Sequence, residues 1–380
     1  MTPLRIAYVV NVFPKLSETF IAHELAELRR RGVQLRVFSL RQPVEELRHD
    51  LIAANGLDQL TSYDTDRFLP ELKEFRPHLL HAHFATEPAA AAREFAEELH
   101  VPFTFTAHGY DIRRKAPPDF AFRAATARRV VTVSHANARH ITSTFGVPLS
   151  HLRVIPCGVD TTVFRPLIGP RSSRREEAQT SSSPIPASES GTPLLGRHEA
   201  HPLLVCVARL VAVKNLGLLL RACALLRDRR VTFHCVLVGD GPLRSELEAL
   251  RRTLNLEVLV KFHGAANHRE VLRFWQRASV ALLTSENEGM PVSLMEAAAC
   301  RVPAVATAVG GIPELVEQGV TGLLTPPGDA AAFADAVQDL IENPARAATM
   351  GQAARRRAET KFSLSRQVDE LLALWSEILR

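Results

Sequence analysis

Short apolar runs alternate along the chain with longer segments in which apolar residues recur every three or four positions. The runs have the length of strands buried on both faces, and the longer segments have the period of amphipathic helices. The first unit has an apolar run at residues 5–10, a helical segment with Phe20, Ile21 and Leu25 on one face, and a second run at residues 33–40. Such strand–helix–strand units predict a doubly wound parallel sheet that binds ligands at the carboxyl ends of its strands.

The same pattern continues through both halves of the chain and predicts an α/β protein with two such sheets. Gly32 is expected to stop the first helix, Ser17 to cap its start, and Ser134 to cap a later helix. Further apolar runs predict strands near residues 79–84, 101–107, 130–134, 203–208, 236–238, 260–264, 280–283, 304–307 and 322–325.

A polar stretch separates the two halves. Residues 166–201 are rich in Ser, Pro, Glu, Arg and Gly and poor in apolar side chains, so they cannot bury a core and are predicted to be a disordered linker or insertion. We therefore predict a first domain at residues 1–165 and a second at residues 202–363. The segment 364–380 carries apolar residues at helical spacing and predicts a final helix.

Composition narrows the class of protein only slightly. The formal net charge of the 380-residue chain is +5, and neither basic–aromatic interleaving nor zinc-ligand spacing appears, so nucleic-acid binding is a distant third hypothesis. Five scattered cysteines indicate a reducing compartment, and the chain enters its first strand without a signal peptide. We expect a cytoplasmic protein, either soluble or peripheral at the inner face of the membrane. Without an aspartate-rich motif, we expect neither a metal nor a cofactor.

The stretch from Ser285 to Val302 carries the most specific chemistry. A buried strand precedes it, Gly289 allows close backbone approach, and Pro291 is expected at the first position of a helix whose free N–H groups bind anions. Two carboxylates, Glu288 and Glu296, frame this site and would repel phosphate but accept hydroxyl groups of a ribose or sugar. The combination fits a nucleoside diphosphate sugar. An ordinary strand–turn–helix with solvated glutamates is the alternative, and the stretch alone leaves both open.

The spacing from Glu288 to Glu296 resembles the E-x7-E motif of the retaining glycosyltransferases of family 4. The resemblance extends along nearly the whole chain. In the second half, for example, Arg209 to Lys214 also resembles the family's G-R-L-x-x-x-K-G motif. It implies the GT-B fold, in which two Rossmann-like doubly wound domains face each other across a cleft. The nucleotide sugar would bind the second domain and the acceptor the first, and the final helix would return to the first domain.

The resemblance also implies roles for individual residues. Arg209 and Lys214 would bind the donor diphosphate, which gains negative charge as it departs, whereas an unrelated surface Arg and Lys are the alternative. His108, at the end of an apolar strand, matches the family histidine that contacts the transferred sugar. Glu288 would hold the sugar or phosphate end and Glu296 the ribose. Further donor contacts are expected at Gly264, Gly289, Met290, Pro291 and Val292.

Candidate acceptor-side residues lie in the first half. The P-x-x-S-E-T-F sequence at residues 14–20 resembles the subgroup that builds bacterial exopolysaccharides, and Ser17 and Thr19 would then face the donor. His83 is expected to line the cleft or to pack structurally, and we expect His81 to point to the opposite face of the strand, which argues against a shared metal. Asp111 is expected to cap the following segment or to face the acceptor.

These observations lead to one function and several alternatives. The expected reaction is metal-independent hexosyl transfer, with retention, from a nucleotide sugar to a glycan or lipid-linked acceptor. The basic cluster of residues 113–115 with Arg123, Arg128 and Arg129 is a solvated face or, as a second interpretation, contacts an anionic membrane or a lipid diphosphate. The alternatives are a nucleotide-sugar epimerase or hydrolase of the same fold, and a non-catalytic nucleotide-sugar-binding partner in a polysaccharide assembly complex.

Overall fold

The computed structural model describes residues 3–44, 49–167 and 201–380, and within these residues the strands form two parallel sheets. The first sheet has the strand order β3-β2-β1-β4-β5-β6-β7, with β1 (Arg5–Val12), β2 (Gln34–Arg41), β3 (Thr61–Ser62), β4 (Leu79–His83), β5 (Phe103–Ala107), β6 (Arg129–Thr132) and β7 (Leu152–Val154). The second has the order β10-β9-β8-β11-β12-β13, with β8 (Leu203–Val207), β9 (His234–Val238), β10 (Val260–Gly264), β11 (Val280–Leu283), β12 (Ala304–Thr307) and β13 (Gly322–Thr325). Both orders reverse beside the first strand of the sheet, which is the doubly wound arrangement predicted from the sequence.

Helices connect the parallel strands. Those of the first half are α1 (Thr19–Arg30), α2 (Asp50–Ala54), α3 (Phe68–Phe75), α4 (Glu87–Leu99), α5 (Tyr110–Arg113), α6 (Phe120–Thr126) and α7 (His135–Phe145). Those of the second half are α8 (Leu216–Asp228), α9 (Arg244–Thr253), α10 (His268–Arg277), α11 (Val292–Ala299), α12 (Ile312–Leu315), α13 (Ala330–Glu342), α14 (Pro344–Lys361) and α15 (Leu364–Ile378). The central strands β4, β5, β11 and β12 are buried throughout, and most of their residues are apolar, as expected for strands covered on both faces. The edge strands β3 and β7 were not predicted, because two or three residues carry no readable period.

The observed ends of the helices test the predicted capping residues and the predicted position of Pro291. Gly32 follows the end of α1 with φ of +82°, and the Ser134 hydroxyl accepts a hydrogen bond from Asn137 N at 3.2 Å, so both predictions are confirmed. The predicted Ser17 cap is wrong, because residues 15–18 form a turn closed by Glu18 N and Lys15 O, and α1 begins only at Thr19. Pro291 lies immediately before α11 rather than in its first turn.

The final helix packs on the first sheet although the preceding helix packs on the second. Val368, Leu371, Leu374 and Trp375 of α15 are buried in the same apolar cluster as residues of β1 and α1. Of the predicted linker, residues 168–200 lie outside the described residues. Among the described helices, none combines the length and the hydrophobicity needed to cross a lipid bilayer.

Candidate active site

The carboxyl ends of the two sheets face each other across a cleft of about 1280 Å³. Two glycines form a contact between the halves, since a Cβ atom on Gly109 would lie 2.9 Å from Gly289 N. Gly109 follows His108 after β5, and Gly289 follows Glu288 after β11. The backbone contact therefore brings His108 and Glu288, which are 180 positions apart in the chain, to the same end of the cleft.

The predicted cations lie on the second-half wall of the cleft. Arg209 follows β8 and is exposed, and its guanidinium has no hydrogen-bond or ion-pair partner among the described residues. Lys214 ends a short 3-10 turn before α8 and forms an ion pair with the Glu288 carboxylate. The same Glu288 oxygen accepts a hydrogen bond from Ser285 Oγ at 2.6 Å. One cation is thus free for an anionic ligand, and the other is held in place by Glu288.

Glu296 lies in the second turn of α11 and is buried at the floor of the cleft. Its Oε2 accepts a hydrogen bond from Trp275 Nε1 at 3.2 Å, and its Oε1 lies 3.3 Å from His268 Nε2. These contacts orient the carboxylate and leave lone pairs for ligand hydroxyls. Sequence reasoning missed Trp275 and His268, since neither residue stands at a spacing that relates it to Glu296.

His108 directly follows β5 and lines the cleft. Burial is the main cause that holds the pKa of the His108 imidazole well below its usual range, and the neighbouring His83 is the second cause. The ring is therefore neutral near pH 7. Asn137 Nδ2 donates to His108 O at 3.2 Å and so fixes the backbone next to the Gly109–Gly289 contact. A neutral imidazole in this position can exchange hydrogen bonds with a sugar hydroxyl without adding charge.

Asp111 is fully buried and does not line the cleft. Its carboxylate accepts hydrogen bonds from Ala85 N at 2.7 Å and His108 N at 2.8 Å, which joins the turns that follow β4 and β5. Burial raises the pKa of the Asp111 carboxyl to about 6, although the backbone donors oppose the rise. The structure therefore places Asp111 beneath the cleft, and not on its acceptor side as one interpretation expected.

His83 lies behind His108 and does not reach the cleft. The expectation that His81 and His83 point to opposite faces was wrong, because residues two apart in a strand share a face, and their ring centres lie 5.2 Å apart. Their ligand atoms and a carboxylate oxygen of Glu24 lie within 4.8 Å of one another, close enough to surround a metal ion. However, both ring nitrogens of His81 are already hydrogen-bonded, to the Thr104 and Thr106 hydroxyls at 2.8 and 3.0 Å.

The other predicted site residues divide into two groups. Those that line the cleft are Ser17, Thr19, Gly289, Met290, Pro291 and Val292. Gly264 does not line it, because its carbonyl accepts a hydrogen bond from Gly239 N at 2.7 Å, and residues 265–266 face the cleft instead. From the basic cluster, Arg114 and Lys115 lie at the first-half side of the cleft.

Glu314 forms a contact between the halves that the sequence did not reveal. Its carboxylate accepts hydrogen bonds from His135 N at 2.9 Å and Ala136 N at 2.7 Å, the first free N–H groups of α7. A negative charge at a helix N-terminus is favourable. A cap supplied by a remote segment leaves no local pattern in the sequence.

Buried neutral histidines predict that the protein loses stability in mild acid. Burial holds the pKa values of His23, His81 and His108 well below the usual range. The unfolded chain takes up protons near pH 6.5 and the folded chain does not, so the stability that these groups contribute is complete above pH 6.5 and is lost as the pH falls. The pKa of Asp111 is raised to about 6, so this group stabilises the folded chain as the pH falls. It therefore offsets part of the stability that one buried histidine loses.

Urea unfolding at several pH values measures this effect. Between pH 7 and 5.5 we expect the free energy of unfolding to fall by about 2–3 kcal/mol. His23→Asn removes one contributor and should flatten the dependence by roughly a third, whereas His100→Asn, at the exposed end of α4, should leave it unchanged. A stability that stays constant over this range would contradict the assignment of neutral buried rings.

Two family models match the chain, one in each half. The model described as Glycosyltransferase Family 4 matches residues 17–163, and the model described as Glycosyl transferases group 1 matches residues 195–357. The first match contains His108, and the second contains Arg209, Lys214, Glu288 and Glu296.

Curated relatives match part of the chain. The amylovoran biosynthesis glycosyltransferase AmsK of Erwinia amylovora is 36% identical over 178 residues, which are 44% of this chain and 44% of that protein. The putative colanic acid biosynthesis glycosyltransferase WcaL of Escherichia coli K12 is 34% identical over 195 residues, which are 50% of this chain and 42% of that protein. The matched segments thus span less than half the length of both relatives.

A solved structure extends the likeness to the whole fold. The Anabaena protein Alr3699/HepE, crystallised in complex with UDP, superimposes with a TM-score of 0.78 at 18% identity and covers 98% of this chain and 100% of its own. The predicted GT-B fold is confirmed by this likeness and by the two sheets. The two family models together match residues 17–163 and 195–357, and the chain therefore belongs to the glycosyltransferases that these two models describe.

Proposed function

We propose that the protein transfers a hexosyl group, with retention, from a nucleoside diphosphate sugar to a glycan or lipid-linked acceptor. The observation that carries the proposal is the convergence of the free Arg209 and the Lys214–Glu288 pair on the cleft wall opposite His108. A nucleotide sugar requires cations for its diphosphate, and acceptors and a neutral histidine for its hydroxyl groups. All of these groups line the cleft, at the carboxyl ends of the strands of the two sheets. The buried Glu296 carboxylate adds an oriented acceptor for the ribose.

The cations supply the main catalytic effect. The bond between the anomeric carbon and the diphosphate oxygen breaks, and the departing diphosphate gains negative charge that Arg209 and Lys214 stabilise. The acceptor hydroxyl attacks the same face of the sugar and passes its proton to the departing phosphate oxygen, which accounts for retention. Trapping of a glycosyl adduct on a protein side chain would contradict this front-face mechanism.

We assign the reaction to the synthesis of an exopolysaccharide or another cell-surface glycan. The names of AmsK and WcaL and the P-x-x-S-E-T-F sequence at residues 14–20 support this assignment. Arg114 and Lys115 at the first-half side of the cleft suit an anionic acceptor, such as a lipid diphosphate at the membrane surface. The UDP in the HepE complex makes UDP-sugars the first donors to test.

A thermal-shift panel of UDP-, GDP- and ADP-sugars tests the donor site. One nucleotide series should raise the melting temperature of the wild type, by an amount equivalent to about 3 kcal/mol at a hundredfold excess over Kd. Arg209→Ala should abolish the shift, because the unpaired guanidinium binds the diphosphate. Arg356→Ala, at an exposed position of α14, should retain it.

The outcome separates the proposed function from its alternatives. A panel that shifts nothing would contradict a preformed donor site. Donor turnover that does not depend on any acceptor would favour an epimerase or hydrolase. Donor binding without transfer to any glycan or lipid acceptor would favour a non-catalytic partner in an assembly complex.

A further inference from the structure

A chain of buried side chains leads from the cleft into the core of the first half. His108 Nε2 lies 3.1 Å from His83 Nδ1, and His83 Nε2 lies 3.1 Å from Glu24 Oε1. His83 and Glu24 are each only 1% exposed, whereas the His108 ring lines the cleft. His83 lies in β4, Glu24 lies in α1 and His108 directly follows β5, so the chain exists only in the folded protein.

Two further donors from the core hold the Glu24 carboxylate. Tyr8 Oη donates to Glu24 Oε1 at 2.6 Å, and Gln367 Nε2 donates to Glu24 Oε2 at 2.6 Å. The Gln367 carbonyl oxygen in turn accepts from Gly158 N at 2.6 Å, which fixes the amide so that its NH2 group faces Glu24. Every one of these groups offers a hydrogen to the carboxylate, so Glu24 acts as an acceptor throughout.

Stability alone does not account for a carboxylate at this position. Glu24 lies on the face of α1 that also buries Ile21, Leu25 and Leu28, where an apolar side chain would need no partners. A buried charge costs free energy that its hydrogen bonds only offset, and replacing such groups by apolar ones is often neutral or stabilising. A carboxylate kept there, and bonded to the histidine behind a cleft residue, indicates a role in the chemistry of the cleft.

The hydrogen-bond directions determine the tautomers of both histidines. Because Glu24 accepts, His83 Nε2 must carry the hydrogen, and Nδ1 of a neutral His83 ring is then an acceptor. His108 Nε2 must therefore donate to His83, which leaves His108 Nδ1 without a hydrogen. Among the described residues, His108 Nδ1 has no hydrogen-bond partner. The rings of Phe20 and Phe84, with centres 4.8 and 4.6 Å from that of His108, restrict its orientation.

We propose that Glu24 and His83 are positioning residues that hold His108 with an unprotonated Nδ1, which accepts a hydrogen bond from a hydroxyl group of the transferred sugar. This inference rests on the proposed function, since it names how the sugar is recognised in that reaction. Glu24 also joins the final helix to the site, because Gln367 lies in α15. Of these three residues, only His108 touches the substrate, and Glu24 and His83 act through it.

The tautomer of His108 tests the proposal directly. In ¹⁵N-histidine spectra of the wild type, assigned with His108→Gln, we expect the hydrogen of His108 on Nε2. Glu24→Gln has the same shape but presents an NH2 group to His83, so both rings should reverse and the His108 hydrogen should move to Nδ1. An Nδ1–H tautomer in the wild type would overturn the proposal, and this measurement needs no variant of Glu24.

Kinetics give a second readout on the same variant. Glu24→Gln should lower kcat by about 10–100-fold, as the loss of an orienting partner typically does, while binding of UDP or GDP without a sugar stays unchanged. Tyr8→Phe removes a donor from the same carboxylate oxygen but keeps both histidine contacts, and it should change kcat less than about threefold. A Glu24→Gln enzyme with wild-type kcat, or a Tyr8→Phe enzyme that is equally impaired, would overturn the proposal.

The two readouts separate this inference from the proposed function. If the wild type binds nucleotides but transfers no sugar, the proposed function fails, and the His108 tautomer still decides whether Glu24 and His83 orient the ring. If the wild type transfers sugar and His108 carries its hydrogen on Nδ1, only the inference fails.

Discussion

Replacing Lys214 with alanine should lower kcat by about 10²–10³-fold, equivalent to about 3–4 kcal/mol of transition-state stabilisation. Lys214 is the cation of the cleft that the protein itself positions, through its ion pair with Glu288. Its removal takes away a charge that stabilises the departing diphosphate. It also leaves the Glu288 carboxylate without its ion-pair partner beside the phosphate, which adds repulsion. Steady-state sugar transfer from the donor identified by thermal shift measures the effect.

Lys361→Ala is the matched control, because Lys361 is an exposed lysine at the end of α14. It should leave kcat and the KM for the donor unchanged. If Lys214→Ala instead raised only the KM and kept kcat, Lys214 would contribute equally to the ground state and the transition state. Transfer within fivefold of the wild type would contradict a role in leaving-group stabilisation.

Gly310→Ala should destabilise the second sheet and its site by about 3–5 kcal/mol. Gly310 has φ of +53°, and a Cβ atom there would lie 1.9 Å from Glu288 O. The next residue, Gly311, donates its N–H to the same carbonyl at 3.0 Å. A methyl group at position 310 would therefore push away the turn that carries Glu288, and donor binding should fall with stability.

Gly319→Ala separates backbone strain from the close approach. Gly319 also has a positive φ, of +74°, but a Cβ atom there would meet nothing within 4 Å. This variant should cost only about 1 kcal/mol, the strain of the left-handed conformation. Urea unfolding monitored for both variants, with the nucleotide-sugar thermal shift, gives the comparison. If both variants lost the same free energy of unfolding, the close approach of Gly310 to Glu288 O would not contribute to the destabilisation.

The pattern of apolar residues along the chain was sufficient to predict the two sheets. β11 is buried on both faces, so it is a continuous apolar run that can be read directly from the chain. The parallel, doubly wound arrangement followed because each run was separated from the next by a helical segment. The edge strands β3 and β7 escaped detection because they are very short and partly exposed.

The second-half wall of the cleft was also predicted in part. Glu288 and Glu296 lie on one strand–turn–helix, and Arg209 and Lys214 on another, so their local spacing reflects their placement. Gly264 was predicted to contact the donor, and in the structure its carbonyl closes a bridge to Gly239 while residues 265–266 line the cleft.

By itself, the sequence determined the two sheets, the edge of each sheet that faces the cleft and several residues of the second-half wall, because these depend on periods and spacings within single segments. Only the tertiary structure decided what stands opposite that wall. The Gly109–Gly289 contact, the Glu314 cap on α7 and the path from His108 through His83 to Glu24 each join residues from segments remote in the chain. Such contacts depend on how two sheets and a returning helix pack together, and packing between remote segments leaves no period in the sequence.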